Sequence, residues 1–323
     1  MKASVVVFLV ALCASAGSVV AEDISVILRR LDSDRLAERD AAETELIRQG
    51  PSIEAVLPAE EMLDGNPEFS EEVVYRLKNV FQELRLRTVR ESLDKITFCL
   101  AKVETGSDGR SWITLRADWP KGVFPIRLAF PMNTIQGIDG ENRRFSPVIQ
   151  NGILEIPLGK TRLSGEFVVG LRGEGRIQSV RGNCAVLLAI GEKTFVFRRF
   201  VADSPAAKPE RTIRMGQTTV AIESVRFDSS RLAIRFGVHF DQAFAALESH
   251  RIWIYENEVS LQLRSGDKIK PLSVNPISHG GNSTAFTATF ELPKDDDVVA
   301  FLYTTPTLIV EESITFEALG VGP

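Results

Sequence analysis

The sequence predicts a mainly β protein in which an N-terminal α-helical block precedes two β-sandwich domains. Near Ile96 the spacing of apolar residues changes from the helical period to the period of two that marks a strand. Short strand-like runs then follow up to Phe200, separated by turns and without a helix long enough to connect parallel strands. The alternation continues to the C-terminus, and many short strands with frequent turns are typical of a sandwich.

The stretch from Ser229 to Leu263 has the densest alternation in the chain and predicts two long strands joined by a loop. Every second residue of the first strand is apolar, which places one side of that strand in a core: Leu232, Ile234, Phe236, Val238 and Phe240. The opposite side carries Arg235, His239 and Asp241, so we expect it to face water.

Residues 1–21 are typical of a signal peptide. Lys2 gives a positive start, an apolar run extends from Val5 to Leu12, and the stretch from Val19 to Ala21 offers the small residues that a signal peptidase accepts. The apolar run is much shorter than the roughly 20 residues that span a bilayer. We therefore expect cleavage after Ala21 and an exported protein, periplasmic or extracellular, with no membrane span.

Residues 22–95 predict a helical segment. Apolar residues recur at the spacing of one helix side, as at Ile24, Ile27 and Leu31, and Gly50-Pro51 forms a strong helix terminator. A further apolar stripe that starts at Val73 predicts a long last helix. The acidic excess behind the net charge of −5 lies in this segment.

The rest of the chain predicts a first β-sandwich over residues 96–202, a linker over 203–211 and a second β-sandwich over 212–323. The linker sequence, DSPAAKPER, is polar and contains two prolines, which is typical of an irregular connection. On both sides of it the apolar residues alternate with a period of two, as the strands of a sandwich require.

Three segments carry a resemblance to a group of uncharacterised exported bacterial proteins. The first, RDAAETELIRQGPSIEAVLPA, is similar to one helix-turn-helix unit of HEAT-type repeats. The other two, LESHRIWIYENEVSLQLRSGDKIKP and YTTPTLIVEESITFEALGV, resemble the closing strands of the group. This resemblance implies a HEAT-like segment at residues 22–95 and an immunoglobulin-like second sandwich, and it implies no known activity.

Two cysteines remain after removal of the leader, Cys99 and Cys184, both in strand-like runs of the first predicted sandwich. In an oxidising compartment they form either one disulfide or two buried reduced thiols. Pairing depends on the geometry of their Cβ atoms, so the sequence leaves both alternatives open.

The main candidate binding residues are His239, Asp241, Glu248 and His250. Residues two apart on a strand project to the same side, with Cα atoms roughly 6.5–7 Å apart. If the two strands of the Ser229–Leu263 stretch pair in register, two imidazoles and two carboxylates converge as a site for a metal or a polar partner. We favour a solvated outer face, because Arg235 shares this side and a nearby cation weakens metal binding.

Two further acidic patterns have simpler explanations. Glu256 and Glu258 form a same-side carboxylate pair of the kind that a glycosidase uses, but such pairs are common on exposed strands. The run Asp295-Asp296-Asp297 fits a charged hairpin tip better than a calcium site, since it lacks the spaced ligands of a calcium loop.

Tryptophan can provide a stacking platform for sugars as well as core packing. Trp119 comes an odd number of positions after Trp112, so on a regular strand the two face opposite sides and one of them can be exposed. Packing in a core is the simpler expectation for these two and for Trp253.

The sequence contains no convincing catalytic set, no cofactor motif and no basic groove for nucleic acid. We expect a non-enzymatic binding or scaffolding protein of the bacterial cell envelope that recognises a protein or glycan partner through sandwich edges and loops. The alternative is a metal-dependent or carbohydrate-active hydrolase that uses His239, Asp241, Glu248 and His250.

Overall fold

The computed structural model describes residues 18–58, 60, 63, 66–160, 162–198, 200, 211–228, 230–248, 253–293 and 297–320. The predicted signal peptide and linker lie outside the described residues, apart from residues 18–21 and Arg211. The chain divides into two compact units, Met1–Glu91 and Ser92–Pro323.

The first unit is helical, as the spacing of its apolar residues predicts. It contains α1 (Ser18–Leu31), α2 (Leu36–Gln49), a 3₁₀ turn at Pro51–Ala55, and α3 (Glu71–Leu93), which ends just beyond the unit. The apolar sides of these helices share one core, which includes Ile24, Leu31, Leu46, Leu77 and Leu84. No helix in the described part of the chain is long and apolar enough to cross a membrane.

Ion pairs hold α2 against α3 around one buried arginine. Arg76 contacts Asp40 at 2.9 Å, Glu43 at 2.6 Å and Glu72 at 2.6 Å. Burial lowers the pKa of Arg76, but its hydrogen bonds to Glu72 and Asp40 and the negative charges of Glu43 and Glu72 together outweigh burial, and the net shift is upward. The three carboxylates therefore stabilise the guanidinium, and the guanidinium in turn screens their mutual repulsion.

Arg76→Ala is expected to destabilise the helical unit by about 1–3 kcal/mol, because the clustered carboxylates lose their shared cation. The loss of helical circular dichroism during urea unfolding of the full chain measures this effect. Arg48→Ala is the matched control, since Arg48 pairs with Glu45 at the surface and its removal should change the unfolding curve little. Identical curves for the two variants would contradict the structural role of Arg76.

The second unit is built from strands. In chain order these are β1 (Thr97–Thr105), β2 (Arg110–Asp118), β3 (Pro125–Pro131), β4 (Gln136–Asp139), β5 (Arg144–Pro147), β6 (Ile153–Pro157), β7 (Ser164–Arg172), β8 (Ile177–Phe197), β9 (Thr212–Met215), β10 (Thr218–Asp228), β11 (Arg231–Phe240), β12 (Val259–Leu263), β13 (Lys268–Ile269), β14 (Ser273–Gly280), β15 (Ser283–Glu291) and β16 (Val298–Gly320). One sheet has the order β13-β12-β16-β1-β2-β7-β5-β4-β8-β3-β6, and the other has the order β14-β15-β11-β10-β9.

The larger sheet closes on itself, and this closure corrects the predicted fold class. The run β16-β1-β2-β7-β5-β4-β8 returns to β16 because β8 and β16 also pair, so these seven strands form a closed barrel. The prediction of two β-sandwich domains, the second immunoglobulin-like, is therefore wrong. Its strand pattern was ambiguous, because strands of barrels and of sandwiches both alternate buried with exposed residues.

Aromatic side chains fill the barrel. Phe130 stacks on Phe167 with ring centroids 4.1 Å apart and meets Phe316 edge to face at 5.6 Å. Phe98 of β1 lies 4.7 Å from Phe316 of the adjacent β16. The inside of the barrel is therefore core, as expected for a barrel of so few strands, and a ligand can reach only its outer side and its rims.

The sequence predicts two strands, Ser179–Ile190 and Thr194–Phe200, where the structure has β8, and two more, Val298–Thr304 and Ile309–Phe316, where it has β16. In the structure β8 and β16 are each one continuous strand. The predicted breaks fall where Gly191 has a φ of 68° and Thr307 Oγ1 donates to the Gly191 carbonyl at 2.8 Å. A Cβ at Gly191 would lie 2.6 Å from that hydroxyl, so both backbone and space require glycine. Pairing nevertheless keeps one register throughout, from Phe301 opposite Phe197 to Leu319 opposite Ser179.

The five-stranded sheet packs on the part of β8 and β16 beyond Gly191. The ring of Phe236 in β11 lies 5.2 Å from that of Phe301 and 5.0 Å from that of Tyr303, both in β16. The predicted inward side of β11 is confirmed, because all of its alternating apolar residues are buried: Leu232, Ile234, Phe236, Val238 and Phe240.

Candidate functional site

The outer side of β1, β2 and β7 carries an exposed tryptophan. Trp112 is 46% exposed, whereas Trp119 and Trp253 are buried. The indole N–H of Trp119 donates to Arg162 O at 2.9 Å and that of Trp253 donates to Ala246 O at 2.7 Å, so both are satisfied core residues. The prediction that Trp112 and Trp119 face opposite sides is confirmed, and Trp112 is the one at the surface.

The ring of Trp112 lies flat on the backbone of the neighbouring strand. Trp112 is directly opposite Gly170 of β7 in the antiparallel register. A Cβ on Gly170 would lie 2.9, 3.2 and 3.3 Å from three adjacent atoms of the six-membered ring. A Cβ placed at the edge of the ring, in its plane, would be clearly farther from the two outer atoms than from the middle one. The three similar distances therefore place this Cβ above the plane of the ring. One face of the ring therefore rests on the glycine, and the exposed area belongs to the other face.

Charged side chains border the exposed ring on two strands. Glu104 of β1 is directly opposite Trp112 and pairs with Lys102 at 2.6 Å. Arg110 precedes Trp112 on the same side of β2 and pairs with Asp108 at 3.2 Å. The ring is thus an apolar platform with hydrogen-bonding groups of both charges at its rim.

A cleft lies further along β2. It has a volume of about 300 Å³ and is lined by Lys95, Thr97, Arg116, Asp118, Trp119, Pro120, Leu163 and Ser164. Arg116 and Asp118 project from the same side of β2 as Trp112, because they follow it at even spacing. The lining is mostly polar, with an ammonium, a guanidinium, a carboxylate and two hydroxyls beside three apolar side chains, so the cleft suits a ligand that carries several hydrogen-bonding groups.

Arg116 and Asp118 hold each other in position within this cleft. Arg116 Nε and Nη2 both contact Asp118 Oδ1, at 2.8 and 2.7 Å. The hydrogen bond and the charge of Asp118 raise the pKa of Arg116. Among the described residues no protein group bonds to Asp118 Oδ2, so that oxygen can accept a hydrogen bond from a ligand.

Sequence reasoning missed Gly170, Arg116 and Asp118. One signal was present, because the outward residues of β2 from Arg110 to Asp118 are all polar except Trp112. The importance of Gly170 depends on its position opposite Trp112, which is a property of strand register and cannot be read from either strand alone.

Of the predicted group His239, Asp241, Glu248 and His250, the structure describes the first three residues. His239 is exposed on β11, with its Nδ1 atom 2.8 Å from Ser283 Oγ. Asp241 pairs with Arg214 at 2.5 Å. Glu248 is exposed in the loop after β11, and His250 lies outside the described residues.

The strands that should have brought these residues together do not pair. In place of the second strand predicted within the Ser229–Leu263 stretch, the structure has a 3₁₀ turn at Trp253–Glu256 followed by β12, and β12 belongs to the larger sheet. β11 pairs with β10 and β15 in the smaller sheet. Within the described ranges, no three His, Cys, Asp or Glu side chains form a group that could hold a metal ion.

The other acidic candidates serve local structure. Glu256 lies in the 3₁₀ turn, where its carboxylate accepts the backbone N–H of Lys160, whereas Glu258 follows the turn, so the two do not share a strand side. Asp297 pairs with Arg264 at 2.9 Å, and residues 295 and 296 lie outside the described part of the chain.

Cys99 and Cys184 are free thiols in the structure. In the strand register Cys99 is beside Leu319 and Cys184 is beside Ile314. Ile314 and Leu319 are five residues apart on β16. That separation along the strand is roughly 16 Å, far beyond the Cα distance of about 4.4–6.8 Å that a disulfide needs. The disulfide alternative is therefore not realised in this structure.

Alkylation of the native protein is expected to modify Cys99 and spare Cys184. Cys184 is fully buried, and burial raises the pKa of its thiol to about 12, so almost no reactive thiolate is present at pH 8. Peptide mapping after iodoacetamide treatment at pH 8 measures the difference, with urea-denatured protein as the control in which both react. A disulfide-linked peptide that contains both cysteines would contradict this expectation.

The chain matches no protein-family model and no curated protein. The fold and the site together define a β-barrel protein that presents a tryptophan platform and an adjacent cleft on its outer side.

Proposed function

We propose that this protein is an exported, non-enzymatic binding protein of the bacterial cell envelope that recognises a glycan through the outer side of β1, β2 and β7. The observation that carries the proposal is the ring of Trp112, which lies flat over Gly170 and is open to solvent on its other face. Export is supported by the leader, with Lys2 before an apolar run and small residues up to Ala21.

A tryptophan ring held parallel to a sheet suits the apolar face of a sugar. The face of the indole carries partial negative charge and attracts the weakly positive C–H groups of a pyranose ring. The hydroxyl groups of a stacked sugar point outward from the ring, where Glu104, Lys102 and Arg110 offer acceptors and donors.

The surroundings of the ring favour a glycan over a protein partner. The centre of a protein interface is depleted of charged residues and brings several large apolar side chains together. Here Glu104 lies directly beside the ring and pairs with Lys102 on the same strand. Fully desolvating these charges against a protein is costly, whereas sugar hydroxyls can satisfy them.

Among the residues that the structure describes, no observation favours the hydrolase alternative. It required His239 and Asp241 to meet residues on the following strand, but that strand belongs to the other sheet. His239 lies beside Ser283 and Asp241 beside Arg214. We therefore propose binding without catalysis.

Trp112→Ala is expected to weaken glycan binding at least tenfold, because the stacking platform is removed. Calorimetric titration with soluble chitin, cellulose and β-1,3-glucan oligosaccharides measures it, because this readout does not depend on the exposed indole that the variant lacks. Phe227→Ala is the matched control, because Phe227 is a similarly exposed aromatic residue on the five-stranded sheet.

Gly170→Ala gives a second variant that keeps the ring but displaces it, since the new Cβ would lie too close to Trp112. It should lower affinity as Trp112→Ala does while the fold is retained. Unchanged affinity in both variants, or a wild-type protein that binds none of these oligosaccharides, would contradict the proposed function.

A further inference from the structure

We infer that the cleft at Arg116 and Asp118 is a second subsite of the Trp112 surface, so that the protein binds an extended, uncharged oligosaccharide chain and not a single sugar. This inference rests on the glycan-binding function proposed above. It assigns to the cleft the sugar units that follow the one stacked on Trp112.

The two subsites lie on one line along β2. Trp112, Thr114 and Arg116 project from the same side of the strand, and the ring is separated from Arg116 by roughly 13 Å of strand at about 3.3 Å per residue. Thr114 and, opposite it on β7, Val168 lie between them. These two small side chains form a low strip that connects the ring with the cleft. A ligand that contacts both ends must be longer than one sugar ring.

The cleft offers a base for a sugar ring as well as partners for its hydroxyls. Pro120 and Leu163 provide exposed apolar surface, whereas Trp119 is buried and its indole N–H is used by a backbone carbonyl. Thr97 and Ser164 can each donate and accept a hydrogen bond. This is the same combination of apolar surface and polar rim that surrounds Trp112, repeated along the strand.

The charges around the cleft favour a neutral chain. Lys95 and Arg116 are positive, while Asp118 and Glu166 are negative, and Glu166 is directly opposite Arg116 on β7. An acidic chain would meet two carboxylates and a basic chain would meet two cations. Neighbouring hydroxyls of a neutral sugar fit the Arg116–Asp118 pair, because one can accept from the guanidinium while the next donates to the carboxylate.

Calorimetric titration with chitin, cellulose and β-1,3-glucan oligosaccharides, from disaccharide to hexasaccharide, tests the inference. For the series that binds through Trp112, affinity is expected to rise about tenfold with chain length and to level off once both subsites are filled. Arg116→Ala should leave the disaccharide affinity unchanged and remove the gain with length. Asp118→Asn, which keeps the shape of the side chain, should act in the same way.

Arg235→Ala is the matched control, since Arg235 forms a comparably exposed ion pair with Glu223 on the other sheet and should leave both affinities unchanged. Equal wild-type affinities for disaccharide and hexasaccharide would overturn the second subsite while leaving Trp112-dependent binding intact. Tighter binding of oligogalacturonates than of the neutral chains would overturn the assignment of an uncharged ligand. Failure of every oligosaccharide to bind would overturn the proposed function and this inference together.

Discussion

The pairing of β8 with β16 is the constraint on which the β-rich unit depends. It joins strands more than a hundred residues apart in the chain, from Phe301 opposite Phe197 to Leu319 opposite Ser179. On one side of Gly191 the pair closes the barrel, and on the other side it supports the five-stranded sheet. Burial of apolar side chains in both cores therefore stabilises a single pairing and offsets the entropy of closing so long a loop.

Closure of the barrel also determines the proposed binding surface. With the inside filled by rings such as Phe130 and Phe316, the residues of β2 that point outward are those available to a ligand. The register of β2 with β7 then places Trp112 over Gly170 and Arg116 opposite Glu166. A slip of one residue would turn Trp112 into the core, so the surface exists only in this register.

Local patterns in the sequence predicted local features well. Side-chain periodicity predicted the N-terminal helices, the buried side of β11 and the opposite orientations of Trp112 and Trp119. Long-range pairing could not be predicted in this way. Gly191 resembles a turn signal, although β8 continues through it without a break. β12 belongs to the larger sheet and therefore does not pair with β11, the strand that carries His239. Barrel closure and the Trp112–Gly170 contact are properties of strand neighbours, which periodicity does not specify.

Native-state hydrogen exchange followed by mass spectrometry tests the role of the β8–β16 pairing most directly. A closed barrel predicts that the amides of residues 179–189 and 308–319 exchange at similar rates, among the slowest of the unit, because both strands open only with the whole barrel. Fast exchange of residues 308–319 beside slow exchange of residues 179–189 would contradict closure, since it would show that the last strand opens independently.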